Sequence, residues 1–235
     1  MSGHDAPPAR TTLDLSVYLV TDTQQCGERG VVDTVRAAVG AGATIIQVRD
    51  PHASEAELVA LTRECVAAVA DLGLAGRVPI IVNDRADLAA EAGADGAHVG
   101  QSDLDAVTAR RLIGPDGILG LSVHTMDELD AAKQLPPGTV DYLGIGPLRP
   151  TLSKADHAPA RGLAHLGQLA AASPWPCVAI GGVGAADAGD LARHGIAGMA
   201  VISAICGQPD VEAATEGLVR AWADAAAAAP GGRPS

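Results

Sequence analysis

The 235-residue chain has no phenylalanine, and two tryptophans and two tyrosines are its whole supply of large aromatic rings. Its core must therefore be built from Ala, Val, Leu and Ile, within a hydrophobic fraction of 48%. That supply suits helices packed closely on a Val/Ile-rich sheet. Basic residues are also scarce. Sixteen Lys and Arg stand against 28 Asp and Glu, and the formal net charge of −12 argues against nucleic acid as a partner, because neutralising a phosphate backbone calls for a basic patch. Any phosphate must be bound locally. Cys26, Cys65, Cys177 and Cys206 include no C-x-x-C pair, which reads as reduced thiols in a cytoplasmic protein rather than a disulfide or zinc framework. No apolar run approaches the roughly 18 residues of a membrane span. The opening "MSGHDAPPARTT" lacks the apolar centre of a secretory signal.

What is present is a repeated unit of strand then helix. "SVYLVTD" precedes a helical run over 31–39, "TIIQVR" precedes "EAELVALTRECVAAVADLG", and "VPIIVND" precedes a run over 85–92. "GAHVG" is followed by a helical run over 104–113, "GILGLSVH" by 126–135, "VDYLGIG" by 163–171, "PCVAIGG" by 185–194, and "GMAVIS" by a last helix over about 211–228. Continuous apolar strands alternating with helices imply parallel pairing by right-handed crossovers. Eight such units predict a closed (β/α)8 TIM barrel in a single α/β domain, with an open doubly wound sheet as the rival. The barrel is expected over 15–228, between disordered tails at 1–14 and 229–235. Glycines in the recurring "AGA" and in "HGIAG" should end each helix and start the next turn.

In such a barrel the chemistry sits where the strands end. The residues there are Gln47 and Arg49, Asn83 and Asp84, Gln101 and Asp103, Ser122 and His124, Gly181 and Gly182, and Ile202 and Ser203. Asp84 and Asp103 close adjacent units, so their carboxylates could share Mg2+, which takes oxygen ligands and is usually completed by water and substrate phosphate. Equally, each could cap the helix that follows it. Gly181-Gly182 with Ile202-Ser203 matches the phosphate cup that barrels form after strands seven and eight, or only a tight turn. Arg49, at the end of a buried strand, requires an anionic partner, which could be Asp84 or a diphosphate. His124 reads as a structural residue or an acid/base. The stretch "GPLRPTLSK" from Gly146 to Lys154 sets Thr151, Ser153 and Lys154 behind two prolines. A surface turn needs no such donors, whereas a loop that closes over phosphate does. It is not an ATP-type P-loop.

Taken in order, "YLVTD", "IIQVRD", "VNDRADLAAEAGADGAHVGQSDL", "GLSVHT", "GPLRPTLSK", "VAIGGV" and "MAVISAI" resemble the thiamine phosphate synthase family. The resemblance runs from about residue 18 to residue 205. It implies a magnesium-dependent transferase that joins hydroxymethylpyrimidine diphosphate to hydroxyethylthiazole phosphate and releases pyrophosphate. It further implies that Gln47, Arg49, Asn83 and Lys154 hold the pyrimidine diphosphate and that Asp84 and Asp103 hold magnesium. Thr151, Ser153, Gly182, Ile202 and Ser203 would hold the thiazole phosphate, with Ser122 beside the reacting centre. Ser122, Lys154 and Arg49 are then the residues expected to carry the catalysis.

The family commonly reads Q-x-R-x-K after strand two. Here Pro51 occupies the lysine position, and Arg149 or His52 is the expected substitute. Two alternatives remain within reach of the same fold. A thiazole tautomerase would use His124 and need no magnesium, and a non-catalytic phosphate-binding barrel would keep the glycine cup alone. The partners expected are small-molecule substrates, with no nucleic acid and no membrane. Assembly into a homo-oligomer is compatible with the sequence but not required by it. The loop over 149–162 is expected to close on substrate.

Overall fold

The computed structural model describes residues 13–150 and 159–228. Its strands are β1 (Val17–Val20), β2 (Ile45–Val48), β3 (Ile80–Asn83), β4 (Gly96–Val99), β5 (Ile118–Val123), β6 (Tyr142–Ile145), β7 (Cys177–Ala179) and β8 (Gly198–Val201). Each pairs in parallel with its neighbour in the chain, and β8 returns to β1, so the barrel is closed. Sheet edges, with their unpaired N–H and C=O groups, are thereby removed.

The helices are α1 (Thr23–Cys26), α2 (Val31–Gly40), α3 (Glu55–Asp71), α4 (Ala89–Ala92), α5 (Ala106–Ile113), α6 (Met126–Ala132), α7 (Gly162–Ala172), α8 (Ala188–Arg193) and α9 (Val211–Ala228). Short 3₁₀ turns precede α2 (Gly27–Arg29) and α8 (Ala185–Asp187). Ser54 starts α3 with a reciprocal capping box to Glu57, and Asp105 and Thr125 cap α5 and α6 through their side chains. Each satisfies amide groups that the first helical turn leaves without a partner. Glycine ends units as expected: Gly42, Gly93 and Gly195 all have positive φ.

Several helices are shorter than the sequence pattern predicts; the run over 185–194, for one, opens as a 3₁₀ turn and is α-helical only over Ala188–Arg193. Over 85–92 only the last four residues are α-helical, because the Leu88 and Ala89 amides bond back three residues, to Arg85 and Ala86, in tight turns. The run predicted to 135 ends at Ala132, where Gln134 and Leu135 likewise bond back three residues before Pro136 and Pro137. The run predicted from 104 begins at Ala106, behind the Asp105 cap. In the last two cases apolar periodicity extends past the point where local hydrogen bonding changes.

Side chains alternate across the strands. Outward residues such as Leu19, Ile46, Val82, Leu119 and Leu143 join the helices in one large cluster. Inward residues, among them Tyr18, Val20, Ile45, Ile81, Tyr142, Val178 and Ala200, form a second. Of the tail expected over 1–14, Leu13 and Asp14 fall within the described residues, and Leu13 packs against this inner cluster.

Both of the chain's tyrosines lie in the barrel interior, and both are fully buried. Their rings stand 5.9 Å apart, and the Tyr142 ring is 5.5 Å from that of His98. Space for these rings comes from inward-facing glycines: a Cβ on Gly120 would overlap His98 Nδ1 and Tyr142 Oη, and one on Gly144 would sit 3.0 Å from His98 Cε1. Gly120→Ala should therefore destabilise the fold by about 1 to 3 kcal/mol through overpacking. Gly217→Ala in α9, where nothing lies within 4 Å of the added carbon, should stabilise it by roughly 0.5 to 1 kcal/mol. Urea unfolding midpoints of the two variants check the pair, and equal midpoints would contradict the interior crowding.

Candidate active site

A cavity of about 600 Å³ opens where the strands end. Gln47, Arg49, Asp84, Asp103, Ser122, Gly182, Ile202 and Ser203 all line it, as do His124 and Pro51. Residues named from six separate stretches of sequence thus meet around one space. Asn83 is buried beside them, and its Oδ1 has no hydrogen-bond partner among the described residues. Thr151, Ser153 and Lys154 lie outside the described residues.

Arg49 is held firmly. Its main chain is clamped by the Thr21 hydroxyl, which accepts from the Arg49 N–H at 2.9 Å and donates to the Arg49 carbonyl at 3.1 Å. Its guanidinium Nη1 donates to Asp22 Oδ2 at 3.2 Å, with both side chains almost wholly buried. The buried cation thus takes its anionic partner from the end of β1 rather than from Asp84, one of the two partners considered for it. Parallel pairing explains the difference: Val20 is in register with Gln47, so Asp22 and Arg49 occupy corresponding places on adjacent strands. Asp22 also accepts from the Gln25 amide at 3.0 Å and caps α1.

Asp84 and Asp103 do not cap the α-helices that follow. No side chain caps α4, and Asp105 caps α5. Asp103 instead turns back so that its Oδ2 accepts the Gly100 amide at 2.7 Å, in a space that a Cβ at position 100 would enter at 2.9 Å. Asp84 is the only described non-glycine residue with positive φ, at 61°. A lone aspartate can adopt this left-handed conformation, but strain of this kind gathers at functional sites. The donor set fits magnesium: two hard carboxylate oxygens face one cavity, and an orphaned amide oxygen lies next to Asp84 in the chain. Among the described residues no group of three His, Cys, Asp or Glu forms a cage. Two carboxylates completed by water and phosphate are the usual magnesium arrangement.

On the opposite side the ends of β6, β7 and β8 build the cup. Gly181 and Gly182 both have positive φ, 86° and 70°, and a Cβ on Gly181 would overlap Pro147. The segment after β6 is laid against the segment after β7 by main-chain bonds, Leu148 N–H to Ile180 at 3.0 Å and Arg149 N–H to Gly181 at 3.0 Å. The Arg149 guanidinium donates to both Asp187 oxygens, at 2.8 and 2.5 Å, and to the Gly182 carbonyl at 2.8 Å. This pairing holds the Asp187 carboxyl below the usual carboxylate range. Arg149 therefore braces the cup after β7 rather than the end of β2, where position 51 lies. His52, the other expected substitute, is exposed.

His124 Nδ1 lies 2.8 Å from the Gly146 carbonyl. A carbonyl can only accept, so Nδ1 carries the proton. The ring ties the end of β5 to the end of β6, which is the structural role considered for it.

Sequence reasoning missed the polar floor beneath the cavity. Gln47 Nε2 donates to Tyr18 Oη at 2.8 Å, Tyr18 Oη lies 2.7 Å from Tyr142 Oη, Tyr142 Oη lies 3.0 Å from His98 Nδ1, and His98 Nε2 lies 2.9 Å from Ser122 Oγ. A signal was present: Tyr18, His98 and Tyr142 are polar residues within apolar strand runs, on the inward parity shared with Gln47 and Ser122.

Comparison with known proteins agrees with this geometry. The family described as thiamine monophosphate synthase matches residues 17–205. A thiamine-phosphate synthase of Xanthobacter autotrophicus is 46% identical over 205 residues, 87% of this chain and 94% of the relative. One of Psychrobacter sp. is 42% identical over 205 residues, again 87% of this chain and 94% of the relative. Among solved structures, thiamine phosphate pyrophosphorylase from Pyrococcus furiosus superposes with a TM-score of 0.79 at 31% identity, covering 91% of this chain and 98% of that one. A 3-hexulose-6-phosphate synthase with a TM-score of 0.61 and 18% identity shares the fold alone.

Removing Asp22 should strand a buried guanidinium. Asp22→Ala is expected to destabilise the protein by about 3 to 5 kcal/mol. The double variant Asp22→Ala/Arg49→Leu should recover most of this, apart from roughly 1 kcal/mol for the lost α1 cap. Urea denaturation of the three proteins measures both terms. A double variant no more stable than Asp22→Ala would show that the pair is not the origin of the loss.

Proposed function

The chain belongs to the thiamine monophosphate synthase family and is a transferase, and on that premise we propose how its barrel mouth divides the work. The substrates are a hydroxymethylpyrimidine diphosphate and a hydroxyethylthiazole phosphate, and the products are thiamine phosphate and pyrophosphate. The observation that carries this reading is the convergence of Gln47, Arg49, Asp84, Asp103, Ser122, Gly182 and Ser203 on one cavity. The tautomerase and binding-barrel alternatives find no support among the relatives, which are named as synthases.

The bond that breaks joins the pyrimidine methylene to the diphosphate, and its electron pair leaves with pyrophosphate. The bond that forms joins the same carbon to the thiazole nitrogen, which supplies its own lone pair. No proton need be removed from the nucleophile, so no strong general base is required, consistent with a His124 occupied between strands. The protein's task is to neutralise the leaving group and to hold the nitrogen close to the carbon.

Arg49, fixed by Thr21 and Asp22, presents a cation whose geometry is set before substrate arrives. Gln47 lines the pyrimidine diphosphate side, and Asn83, whose Oδ1 has no partner among the described residues, is buried beside it with an acceptor to offer the pyrimidine. Gly182, Ile202 and Ser203 offer main-chain and hydroxyl donors to the thiazole phosphate, on a cup braced by Arg149 and Asp187. Ser122 stands between the two. Thr151, Ser153 and Lys154 are assigned by resemblance to the phosphates of both substrates. Asp84 and Asp103 would hold magnesium, which when bound supplies positive charge to the departing pyrophosphate. The four buried free thiols suit a reducing compartment, the cytoplasm, and no described helix is long and apolar enough to cross a membrane.

The test is thiamine phosphate formation from the two substrates, read as fluorescent thiochrome after oxidation, with and without magnesium. Product should require magnesium, and Asp103→Ala should lower its rate by at least about a hundredfold. Turnover that survives chelation would remove the magnesium assignment. Absence of product from folded protein under every condition would remove the reaction.

A further inference from the structure

The hydrogen-bonded floor has a direction. Each tyrosine hydroxyl has one proton to give, and so has a neutral imidazole. Gln47 Nε2 donates to Tyr18 Oη, which leaves the Tyr18 proton for Tyr142 and the Tyr142 proton for His98 Nδ1. The imidazole then carries its proton on Nε2 and gives it to Ser122 Oγ. Burial pushes the ionisation of both phenols up, so each remains a hydroxyl. Were Nδ1 to carry the proton instead, Tyr142 would have to give its own proton to Tyr18. Tyr18 would then receive two donors, from Gln47 and Tyr142, in a fully buried site.

We propose that Tyr18, Tyr142 and His98 act as a one-way relay that fixes Gln47 as an acceptor and Ser122 as a donor toward the bound pyrimidine. The proposal rests on reading the cavity as the pyrimidine diphosphate site. With its amide nitrogen committed to Tyr18, Gln47 has its Oε1 left for the ligand. With its oxygen receiving the His98 proton, Ser122 has its own proton left to give. An aminopyrimidine matches this pair, because it presents an exocyclic N–H donor and ring-nitrogen acceptors. The corresponding oxo compound presents a carbonyl where the amine was and an N–H on an adjacent ring nitrogen. Accepting it would require the Gln47 amide to turn over, the hydroxyls of Tyr18, Tyr142 and Ser122 to rotate and His98 to change tautomer together. The relay thus turns a choice between two similar rings into a choice between two states of five side chains. Tyr18, Tyr142 and His98 are positioning residues, since they act on the ligand through Gln47 and Ser122. Gly120 and Gly144 belong to the same device, because larger residues there would displace His98 or Tyr142.

The experiment has two arms on the full chain. In the first, 15N NMR of the histidine rings at neutral pH, without substrate, reads the His98 tautomer, with Tyr142→Phe used to assign the signal. A proton on Nε2 with Nδ1 accepting is expected, and a proton on Nδ1 overturns the relay. In the second, kcat/KM is compared for the pyrimidine diphosphate and for its analogue with oxo in place of the amino group. The native protein should prefer the amine by roughly a hundredfold or more, as sites that leave polar groups unpaired against the wrong ligand do. Tyr142→Phe should reduce that preference about tenfold, the size of one hydrogen bond, with the KM for thiazole phosphate within about twofold of native. Tyr18→Phe breaks the chain one link earlier and should do the same if Tyr142→Phe does not fold. Normal turnover with an unchanged preference in the folded variant overturns the relay alone. The Nε2 tautomer in a native protein that does not turn over the amine overturns the pyrimidine reading of the cavity, and the selectivity role with it.

Discussion

A closed barrel of short strands has an interior that must be filled, and every polar group inside must find a partner there. Here that requirement is met by two phenols in mutual hydrogen-bond contact. They are the only tyrosines in a chain without phenylalanine, so no other ring of that size could substitute. Their presence dictates glycine at positions 120 and 144, where any side chain would collide with His98 or Tyr142. It also dictates polar ends for the network, since a buried hydroxyl left unmatched costs about 1 to 3 kcal/mol. Those ends are Gln47 and Ser122, and both face the cavity. The filling of the barrel and the floor of the active site are one structure, and the first cannot be altered without touching the second.

The architecture was legible in the sequence because it rests on periodicity. Continuous apolar runs of four residues between amphipathic stretches admit few topologies, and α2 and α9 lie almost where their apolar faces put them. Helix starts near the mouth were less legible. Over 85–88 the chain forms tight turns, set by contacts that residue type alone does not reveal. The residues lining the cavity could be picked out because they stand at or just beyond strand ends. Their partnerships could not. Arg49 had to have an anion, but Asp22 became that anion through the register of β1 against β2, which a string of residues does not contain. Asp103 likewise could have been a cap until the chain showed Asp105 in that place. The interior relay escaped notice because tyrosine and histidine within an apolar run look like ordinary strand residues. Only closure of the barrel brings β1, β4 and β6 together.

Electrostatics in the mouth follow from the scarcity of cations in a chain of net charge −12. Arginines near the cavity are not left loose. Arg49 is bound to Asp22 and Arg149 to Asp187, so each presents charge from a position already fixed. Such pairing lowers the net positive charge that a diphosphate meets, yet it removes the entropy of ordering a long side chain on binding. A metal ion is the natural complement to this economy. Asp84 and Asp103 would repel a diphosphate alone, but together with the proposed divalent cation they would attract one.

Pro51 sharpens that argument. It lines the cavity at the position where the family resemblance implied a lysine, and it cannot donate even a main-chain proton. Arg149 is committed to the cup after β7, where both Asp187 oxygens and the Gly182 carbonyl hold its guanidinium, rather than to the end of β2 that carries position 51. On the proposed assignment, the diphosphate side has Arg49 as its fixed cation among the described residues. An uncompensated lysine would weaken binding of substrate and transition state together, because a charge on the diphosphate is present in both. Discrimination at the reacting carbon depends instead on what holds the ring, and that is the polar floor. Loss of a cation at position 51 therefore bears on affinity, while the identity of the ring is decided 3 Å at a time by Gln47, Tyr18, Tyr142, His98 and Ser122, whose successive contacts run from 2.7 to 3.0 Å.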